Sequence, residues 1–206
     1  MKKGNTITYE VDGGLYINVT NRCSNACEFC IRKNGDGAYG SDTLWLEREP
    51  TLEEIKSDID KRDLTAYREV VFCGYGEPSY RLCDIREVAL YIKSKRPDMQ
   101  VRINTNGHSD LILGIDTAPL YKDAFDTVSI SLNTPDTDSY VKLCHPIYKE
   151  KSFDALLKFA KNVNKYMQNT MFSVVKETLT AEQLKKCQEI ADECGVYLKV
   201  RTYISG

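Results

Sequence analysis

Three features are scarce in this 206-residue sequence: long apolar runs, histidine, and an excess of either charge. The longest apolar stretches, such as Val88–Ile92, fall far short of the ~20 residues that cross a membrane as a helix. The 28 Lys and Arg residues nearly balance the 30 Asp and Glu residues, so neither nucleic-acid binding nor attraction to an anionic membrane is indicated. No apolar segment follows Met1–Lys3, as a secretion signal would require, and we expect a cytoplasmic protein.

Length and apolar content set the size of the fold. The 42% apolar and 28% charged residues are typical of a globular protein. A chain of this length buries roughly 70% of the surface that its unfolded form exposes, so a core can form without disulfides. We therefore expect one domain over residues 1–206, in which the 8 cysteines are not a disulfide scaffold. Cysteines outside residues 23–30 are expected to pack as small apolar groups.

Short β-branched runs alternate along the chain with segments of helical spacing. This alternation predicts an α/β fold, a partial (β/α)6 TIM-like barrel with a predominantly parallel six-stranded sheet, whose strands look apolar enough to be covered on both faces. A flavodoxin-like doubly wound sheet is the alternative topology. Residues 6–11, followed by Asp-Gly-Gly, also predict a hairpin before the first strand. The six strands are predicted at Leu15–Thr20, Glu69–Cys73, Gln100–Thr105, Thr127–Ser131, Thr170–Lys176 and Tyr197–Thr202.

Helix starts and ends are marked by local residue patterns. Two capping boxes, Thr51–Glu54 and Thr180–Gln183, each predict the start of a helix. Gly195 predicts the end of the second of these helices. Between His108 and Asp123 the spacing is less regular, and Pro119 is expected to divide the segment. Two further amphipathic helices are predicted at Leu82–Lys95 and Ser152–Tyr166.

The most informative motif is the group of Cys23, Cys27 and Cys30, which follows the first predicted strand. Three thiolates on one loop can converge on a single site, and thiolates suit zinc or iron–sulfur clusters. A four-iron cluster ordinarily takes four cysteines, so three would leave one iron open to a reactant. The alternative is a structural zinc site completed by a distant ligand such as Cys73. Such sites usually show paired CxxC units, and the sequence has no second pair.

These residues resemble the signature of the radical S-adenosylmethionine (SAM) enzymes, which is CxxxCxxC with an aromatic residue before the last cysteine. Here the motif reads Cys-Ser-Asn-Ala-Cys-Glu-Phe-Cys over residues 23–30. Family members carry a glycine-rich stretch ending in Glu after the second strand, and this chain has Cys73–Pro78 there. They often carry Thr-Asn-Gly after the third strand, as in Thr105–Gly107, and polar residues after the fourth, as in Ser131 and Asn133.

The resemblance implies that Cys23, Cys27 and Cys30 hold a [4Fe-4S] cluster whose fourth iron binds SAM. It further implies that an electron passed through the cluster cleaves SAM to a 5'-deoxyadenosyl radical, which abstracts hydrogen from a substrate. Gly74 and Gly76 lack a Cβ and would let the backbone approach the ligand closely. The residues expected to contact SAM are Phe29, Gly74, Tyr75, Gly76, Glu77, Asn106, Ser131 and Asn133.

Each supporting residue also has a simpler interpretation. Glu77 would face the methionyl ammonium, or else be a solvated turn residue before Pro78. Asn106 would help to hold SAM, or else shape the turn before Gly107. Ser131 and Asn133 would bind ribose hydroxyls or the carboxylate, or else cap a strand end. Phe29 would pack near adenine, or merely cover the cluster.

Within the family the closest likeness is to the TatD-associated radical SAM group. It rests on Tyr16–Cys23, Leu44–Leu46 and Tyr140–Pro146. The resemblance implies a reductant such as flavodoxin or ferredoxin, and a substrate that is either a small molecule or a protein. Two other classes stay open: an iron–sulfur sensor or electron carrier without SAM turnover, and a zinc-stabilised interaction domain.

The long connection from Arg32 to Pro50 is expected to be functional. Its first half, Lys33–Asp42, is polar and expected to be mobile. Its second half contains Trp45 between two leucines, and we expect it to pack near the barrel mouth as a lid. The alternative is that Trp45 anchors the loop on the outside of the first helix. Elsewhere, His108 and His145 are expected to be exposed, whereas Lys176 and Arg201 end strands and could meet a carboxylate.

Overall fold

Within residues 3–167 and 169–202, which the computed structural model describes, seven strands form one sheet in the order β1-β2-β3-β4-β5-β6-β7. β1 and β2 form the predicted hairpin and pair antiparallel, and every later pair is parallel. The strands are β1 Thr8–Val11, β2 Gly14–Ile17, β3 Glu69–Phe72, β4 Gln100–Thr105, β5 Thr127–Ser131, β6 Asn169–Val175 and β7 Tyr197–Arg201.

Spatial order equals chain order throughout the sheet, so each crossover moves in the same direction. A flavodoxin-like sheet reverses direction at its switch point, and that alternative is therefore wrong. The sheet is open between β1 and β7. The predicted partial TIM-like barrel is confirmed, with the hairpin strand added to the six parallel ones.

The helices begin and end close to where the sequence patterns place them. Thr51 and Thr180 form complete capping boxes, and Gly195 ends the last helix in the left-handed conformation. Pro119 lies in the first turn of a short helix and does not separate the two helices of its segment, because a proline is tolerated there. The helices are α1 Leu52–Asp60, α2 Leu82–Lys95, α3 Ser109–Leu113, α4 Ala118–Tyr121, α5 Thr137–Cys144, α6 Lys151–Val163 and α7 Ala181–Cys194.

The two faces of the sheet differ in chemistry. On β4, Val101 and Ile103 are buried in the apolar core that the helices cover. Arg102 and Asn104 alternate with them and line a cavity on the opposite face. The expectation of strands covered on both faces by apolar groups is thus wrong, because the inner face of the sheet is polar. No helix in the described part of the chain is long and apolar enough to cross a membrane.

Candidate cluster and cofactor site

Cys23, Cys27 and Cys30 line one cavity of about 350 Å³ on the inner face of the sheet, at the carboxyl ends of its strands. All three thiols are half-buried and unpaired by disulfides. The Cys30 N–H donates to the Cys27 carbonyl at 3.3 Å, which closes a turn and brings these two cysteines to the same side of the loop. The spacing of the motif thus produces the predicted convergence on one site.

The end of α5 holds the cysteine loop in place. The N–H groups of Ala26 and Glu28 donate to the carbonyls of Cys144 and Leu143, at 2.9 and 3.0 Å. The last carbonyls of a helix have no partner within the helix, so the loop satisfies groups that would otherwise need water. The Ile147 N–H, just beyond α5, donates in turn to the Ser24 carbonyl at 2.9 Å. α5 was not singled out in the sequence, although its second half, Tyr140–Cys144, belongs to the Tyr140–Pro146 motif.

Electrostatics around the three thiols disfavour their charged form in the absence of a metal. Burial, followed by the charge of Glu77, raises the pKa of Cys23 to about 12. A hydrogen bond with Cys144 and then burial raise the pKa of Cys27, and burial raises that of Cys30. Because the thiolate is the metal ligand, these sites need a cationic centre to become charged.

Arg32 is the cation nearest the cysteine loop, and it opposes the rise in pKa at all three thiols. Its guanidinium donates to the carbonyls of Tyr75 and Asn25, both at 3.3 Å, and stands 5.8 Å from the centre of the Trp45 ring. Sequence reasoning missed Arg32, since a single arginine after a cysteine motif carries no distinctive pattern. Its position lets it balance part of the negative charge that three thiolates would carry.

The donor set suits a cluster better than a single metal ion. A zinc ion needs all its sulfur ligands about 2.3 Å from one centre. Among residues 3–167 and 169–202, no group of three or more Cys, His, Asp or Glu side chains is arranged to hold one ion. A four-iron cluster binds each cysteine at a different iron, so its ligands need only surround a common cavity, and these three line one.

The absence of a side chain at Gly74 and Gly76 leaves space for another segment of the same chain. A Cβ on Gly74 would lie 2.1 Å from Oδ1 of Asn18, and one on Gly76 would lie 2.2 Å from the carbonyl oxygen of Thr20. The sequence predicted close approach to a ligand, whereas the structure places the segment that leads from β2 into the cysteine loop in that space. Both glycines line the cavity with their backbone, but their missing side chains serve this packing.

Glu77 is buried, with 4% of its surface exposed, which excludes the solvated turn residue considered above. Its Oε1 accepts from the Ser79 N–H at 3.1 Å and from the Thr105 hydroxyl at 2.7 Å, and its Oε2 accepts from the Asn106 N–H at 2.7 Å. Burial raises the pKa of Glu77, and these hydrogen bonds oppose that rise. No cationic side chain of the described residues pairs with the carboxylate, so its charge is available to a cationic ligand.

The amide of Asn106 joins two parts of the site. Its Nδ2 donates to the Ser24 hydroxyl at 2.7 Å, and its Oδ1 accepts from the His108 N–H at 3.1 Å. Asn106 therefore shapes the turn after β4, as the simpler interpretation held, and it also ties that turn to the cysteine loop. It still lines the cavity.

The other predicted SAM contacts are divided between the cavity and the neighbouring loop. Phe29 and Ser131 line the cavity, and Phe29 also packs against the main core. Asn133 donates to the Cys144 sulfur at 3.4 Å, while its buried Oδ1 has no partner and is free to accept from a ligand. Tyr75 also lines the cavity, and its hydroxyl shares its hydrogen between the carbonyls of Gly35 and Gly37 in the neighbouring loop, at 2.9 Å each.

His108 is fully buried, contrary to the expectation of an exposed loop residue. Its Nδ1 lies 3.1 Å from the Ser24 hydroxyl, and its Nε2 lies 3.3 Å from the Tyr140 hydroxyl. Tyr140 also accepts from Nδ2 of Asn25 at 3.0 Å. His108 thus links the turn after β4 to α5 and to the cysteine loop. His145 is exposed, as expected, and lies 3.2 Å from Glu28.

In the second half of the 32–50 connection, Leu44 lines the cavity at the barrel mouth, whereas Leu46 lines a groove beside α1. The action of this half as a lid stays a prediction. Leu44 is buried with Tyr75 in a small apolar cluster, and Trp45 meets the Tyr75 ring edge-on at 5.2 Å. The first half is anchored more than expected, because Ala38 is buried and lines the cavity. These contacts place Trp45 beside the cavity rim and against Arg32.

The sequence matches the family model of the radical SAM superfamily over residues 17–190. The chain belongs to the radical SAM superfamily. Its cofactors are therefore a [4Fe-4S] cluster and SAM, and it is an enzyme of the radical SAM class.

Curated radical SAM relatives cover only part of the chain. A GTP 3',8-cyclase of Lactiplantibacillus plantarum is 31% identical over 127 residues, which are 62% of this chain and 35% of the relative. Molybdenum cofactor biosynthesis protein 1 of Drosophila melanogaster is 30% identical over 129 residues, which are 63% of this chain and 21% of the relative. The chain thus spans 35% of the length of the first protein and 21% of the length of the second.

Solved structures share the fold at low sequence identity. Streptococcus suis SuiB bound to its precursor peptide SuiA has a TM-score of 0.69 at 19% identity, covering 93% of this chain and 39% of SuiB. Methylornithine synthase (PylB) has a TM-score of 0.63 at 16% identity, covering 93% of this chain and 53% of PylB. These likenesses establish the radical SAM fold of the chain.

The buried His108 predicts a pH-dependent stability. Burial lowers the pKa of His108 to about 4, so the unfolded chain binds this proton more readily than the folded one. The contribution of His108 to the free energy of unfolding is complete above about pH 6.5 and decreases as the pH drops toward 4. Between pH 7 and pH 5 the free energy of unfolding should fall by about 2 kcal/mol through His108 alone.

Chemical denaturation of the cluster-free protein at both pH values measures this loss. The same experiment on His108→Asn, whose amide keeps an acceptor near Ser24, isolates the contribution of His108. Between pH 7 and pH 5, the free energy of unfolding of the variant should therefore fall by about 2 kcal/mol less than that of the wild type. Equal losses in the two proteins would contradict a buried, neutral His108.

Trp45 is the single tryptophan of the chain, so its emission reports on the proposed lid. Binding of SAM to the reconstituted protein should change this emission and reduce its quenching by acrylamide, because Trp45 packs on Tyr75 and Arg32 beside the cavity. The control carries Trp45→Phe with Tyr197→Trp, a reporter at an exposed position on β7. Unchanged emission of Trp45, or an equal change at position 197, would leave Trp45 as a structural anchor only.

Proposed function

We propose that this radical SAM enzyme removes a hydrogen atom from a substrate held in the cavity on the inner face of its sheet. The observation that carries the proposal is that one cavity is lined by Cys23, Cys27, Cys30 and Glu77, and continues along the polar face of β4 to β7. When bound, the cluster and SAM supply a 5'-deoxyadenosyl radical. The protein supplies the ligands and the orientation of the cofactors.

Each residue has a role that its position supports. Cys23, Cys27 and Cys30 would hold three irons and leave the fourth for SAM. Glu77 would face the methionyl ammonium, since it is buried and negatively charged without a cationic partner in the described residues. Ligand contacts from the remaining predicted residues are proposed for Phe29, the backbone of Gly74, Tyr75 and Gly76, and the polar groups of Asn106, Ser131 and Asn133.

An iron–sulfur sensor or electron carrier is the alternative function. Such a protein needs the three cysteines but has no use for a polar cavity that extends away from them. The inner face presents Ser129, Ser131 and Ser173 to that cavity, together with charged groups on β4 and β7. This extension favours an enzyme with a substrate.

The finer placement within the family is also a proposal. The TatD-associated likeness is supported by the position of Tyr140–Pro146, whose carbonyls at Leu143 and Cys144 hold the cysteine loop. The curated relatives named as GTP 3',8-cyclases support a nucleotide substrate instead. Small molecule and protein both remain candidate substrates.

We further propose that residues 1–206 form one domain, since one sheet and one main core run through the described residues. A cytoplasmic location is part of the same proposal and is supported by the free state of the cysteines. The three thiols are half-buried, which would let an electron arrive from a carrier such as flavodoxin or ferredoxin.

Iron content tests the ligand assignment. Replacing Cys23, Cys27 or Cys30 by Ala should prevent assembly of a four-iron cluster on anaerobic reconstitution, because each would hold one iron. The matched controls are Cys187→Ala, at a buried position of α7, and Cys83→Ala, at an exposed position of α2, and both should keep full iron content. Iron and acid-labile sulfide are measured by chemical analysis. Stoichiometric zinc without iron, in protein made under iron-replete anaerobic conditions, would overturn the assignment.

Affinity for SAM tests the role of Glu77. Glu77→Gln keeps the size of the side chain but removes its charge, so the affinity should fall by about 10- to 150-fold, equivalent to ~1.5–3 kcal/mol. Calorimetry on the cluster-loaded protein measures it, with Glu87→Gln on the surface of α2 as the control.

Glutamine also leaves one of the backbone donors that meet Glu77 without an acceptor, so the free energy of unfolding should be measured in parallel. If the free energy of unfolding falls while the affinity for SAM stays at the wild-type value, Glu77 has only the structural role of joining the strand ends and does not bind SAM.

A further inference from the structure

The inner face of β7 carries two cations at the side of the cavity away from the cysteine loop. Lys199 and Arg201 are two residues apart on one strand, so their side chains share a face, and both line the cavity. Leu198, which precedes Lys199 on the strand, packs against the core on the opposite face. The cavity therefore has thiols and a carboxylate at one side and two basic groups at the other.

These two cations lack the partners that a structural role would require. In residues 3–167 and 169–202, no carboxylate lies within salt-bridge distance of Lys199 or Arg201. Nε of Arg201 is buried and has no hydrogen-bond partner among the described residues. A buried guanidinium donor without an acceptor is costly, and a bound ligand would relieve that cost.

Arg102 lines the same cavity but, unlike Lys199 and Arg201, has a carboxylate partner within the protein. Its guanidinium donates to both carboxylate oxygens of Glu69, at 2.7 and 2.9 Å, and to the side chain of Asn104 at 2.7 Å. The charge of Arg102 is thus neutralised by an ion pair within the protein. Lys199 and Arg201 are the cations of the cavity that are left to meet a ligand.

The neighbours of the two cations are suited to a small polar molecule. The hydroxyl groups of Ser129 and Ser173 line the cavity on the adjacent strands, and Tyr16 and Tyr39 supply aromatic surface. Arginine and lysine beside serine hydroxyls form a typical arrangement for carboxylates and phosphates.

We propose that Lys199 and Arg201 bind an anionic group, a carboxylate or a phosphate, of a small-molecule substrate. The proposal rests on the proposed function, since it names the substrate class for the same cavity. With the anion held at β7, the remainder of the molecule extends across Ser129 toward Glu77 and the cysteine loop. Lys176, the other strand-end cation considered in the sequence, is exposed and does not line the cavity.

Calorimetry with two simple anions tests the proposal. Pyrophosphate and succinate are titrated separately into the cluster-loaded protein, so that the phosphate and carboxylate sources are distinguished. At least one should bind, and its affinity should fall by about tenfold or more in Lys199→Met and in Arg201→Gln, as expected for the loss of a charge-assisted contact. The control Lys185→Met removes a charge on the exposed face of α7 and should bind as the wild type does.

Arg201→Lys guards against a variant that merely misfolds, because it keeps the positive charge and should bind more tightly than Arg201→Gln. Failure of both anions to bind the wild type, or equal affinities in all variants, would overturn the proposal. Cleavage of SAM by the wild type is measured separately without anions. Its absence would count against the proposed radical SAM reaction and would leave the anion result standing on its own.

Discussion

The buried carboxylate of Glu77 is the interaction on which the rest of the site depends. It joins the segment after β3 to the end of β4 by accepting from Ser79, Thr105 and Asn106. Asn106 then reaches the cysteine loop through Ser24. One charged group thus sets the relative positions of two strand ends and the proposed cluster ligands. Its desolvation is tolerable because three donors surround it, and a cationic ligand would stabilise it further.

Much of the architecture was predictable because its signals are local. Capping boxes at Thr51 and Thr180 act within four residues, and Gly195 ends its helix through its own backbone conformation. The cysteine spacing is equally local, so the three proposed ligands could be chosen from the sequence. The hairpin and the parallel strands followed from β-branched runs bounded by turn residues.

What the sequence could not show depends on partners that lie far apart in the chain. His108 meets Ser24 and Tyr140, which are 84 and 32 residues away, so its burial has no local signature. The same is true of Gly74, whose missing side chain makes room for Asn18. The polar inner face is different, because its signal was local: Arg102 and Asn104 alternate with Val101 and Ile103 along β4, and this alternation was overlooked.

We propose above that three cysteines of this chain hold the cluster and leave one iron open to SAM beside Glu77. Electron paramagnetic resonance of the reduced, reconstituted protein tests this claim most directly, because SAM bound to an open iron alters the electronic structure of the cluster. We predict that adding SAM changes the g-values of the wild-type signal. A cluster closed by a fourth protein ligand, such as Cys73 or Cys144, would give a spectrum that SAM leaves unchanged, and that result would contradict the account.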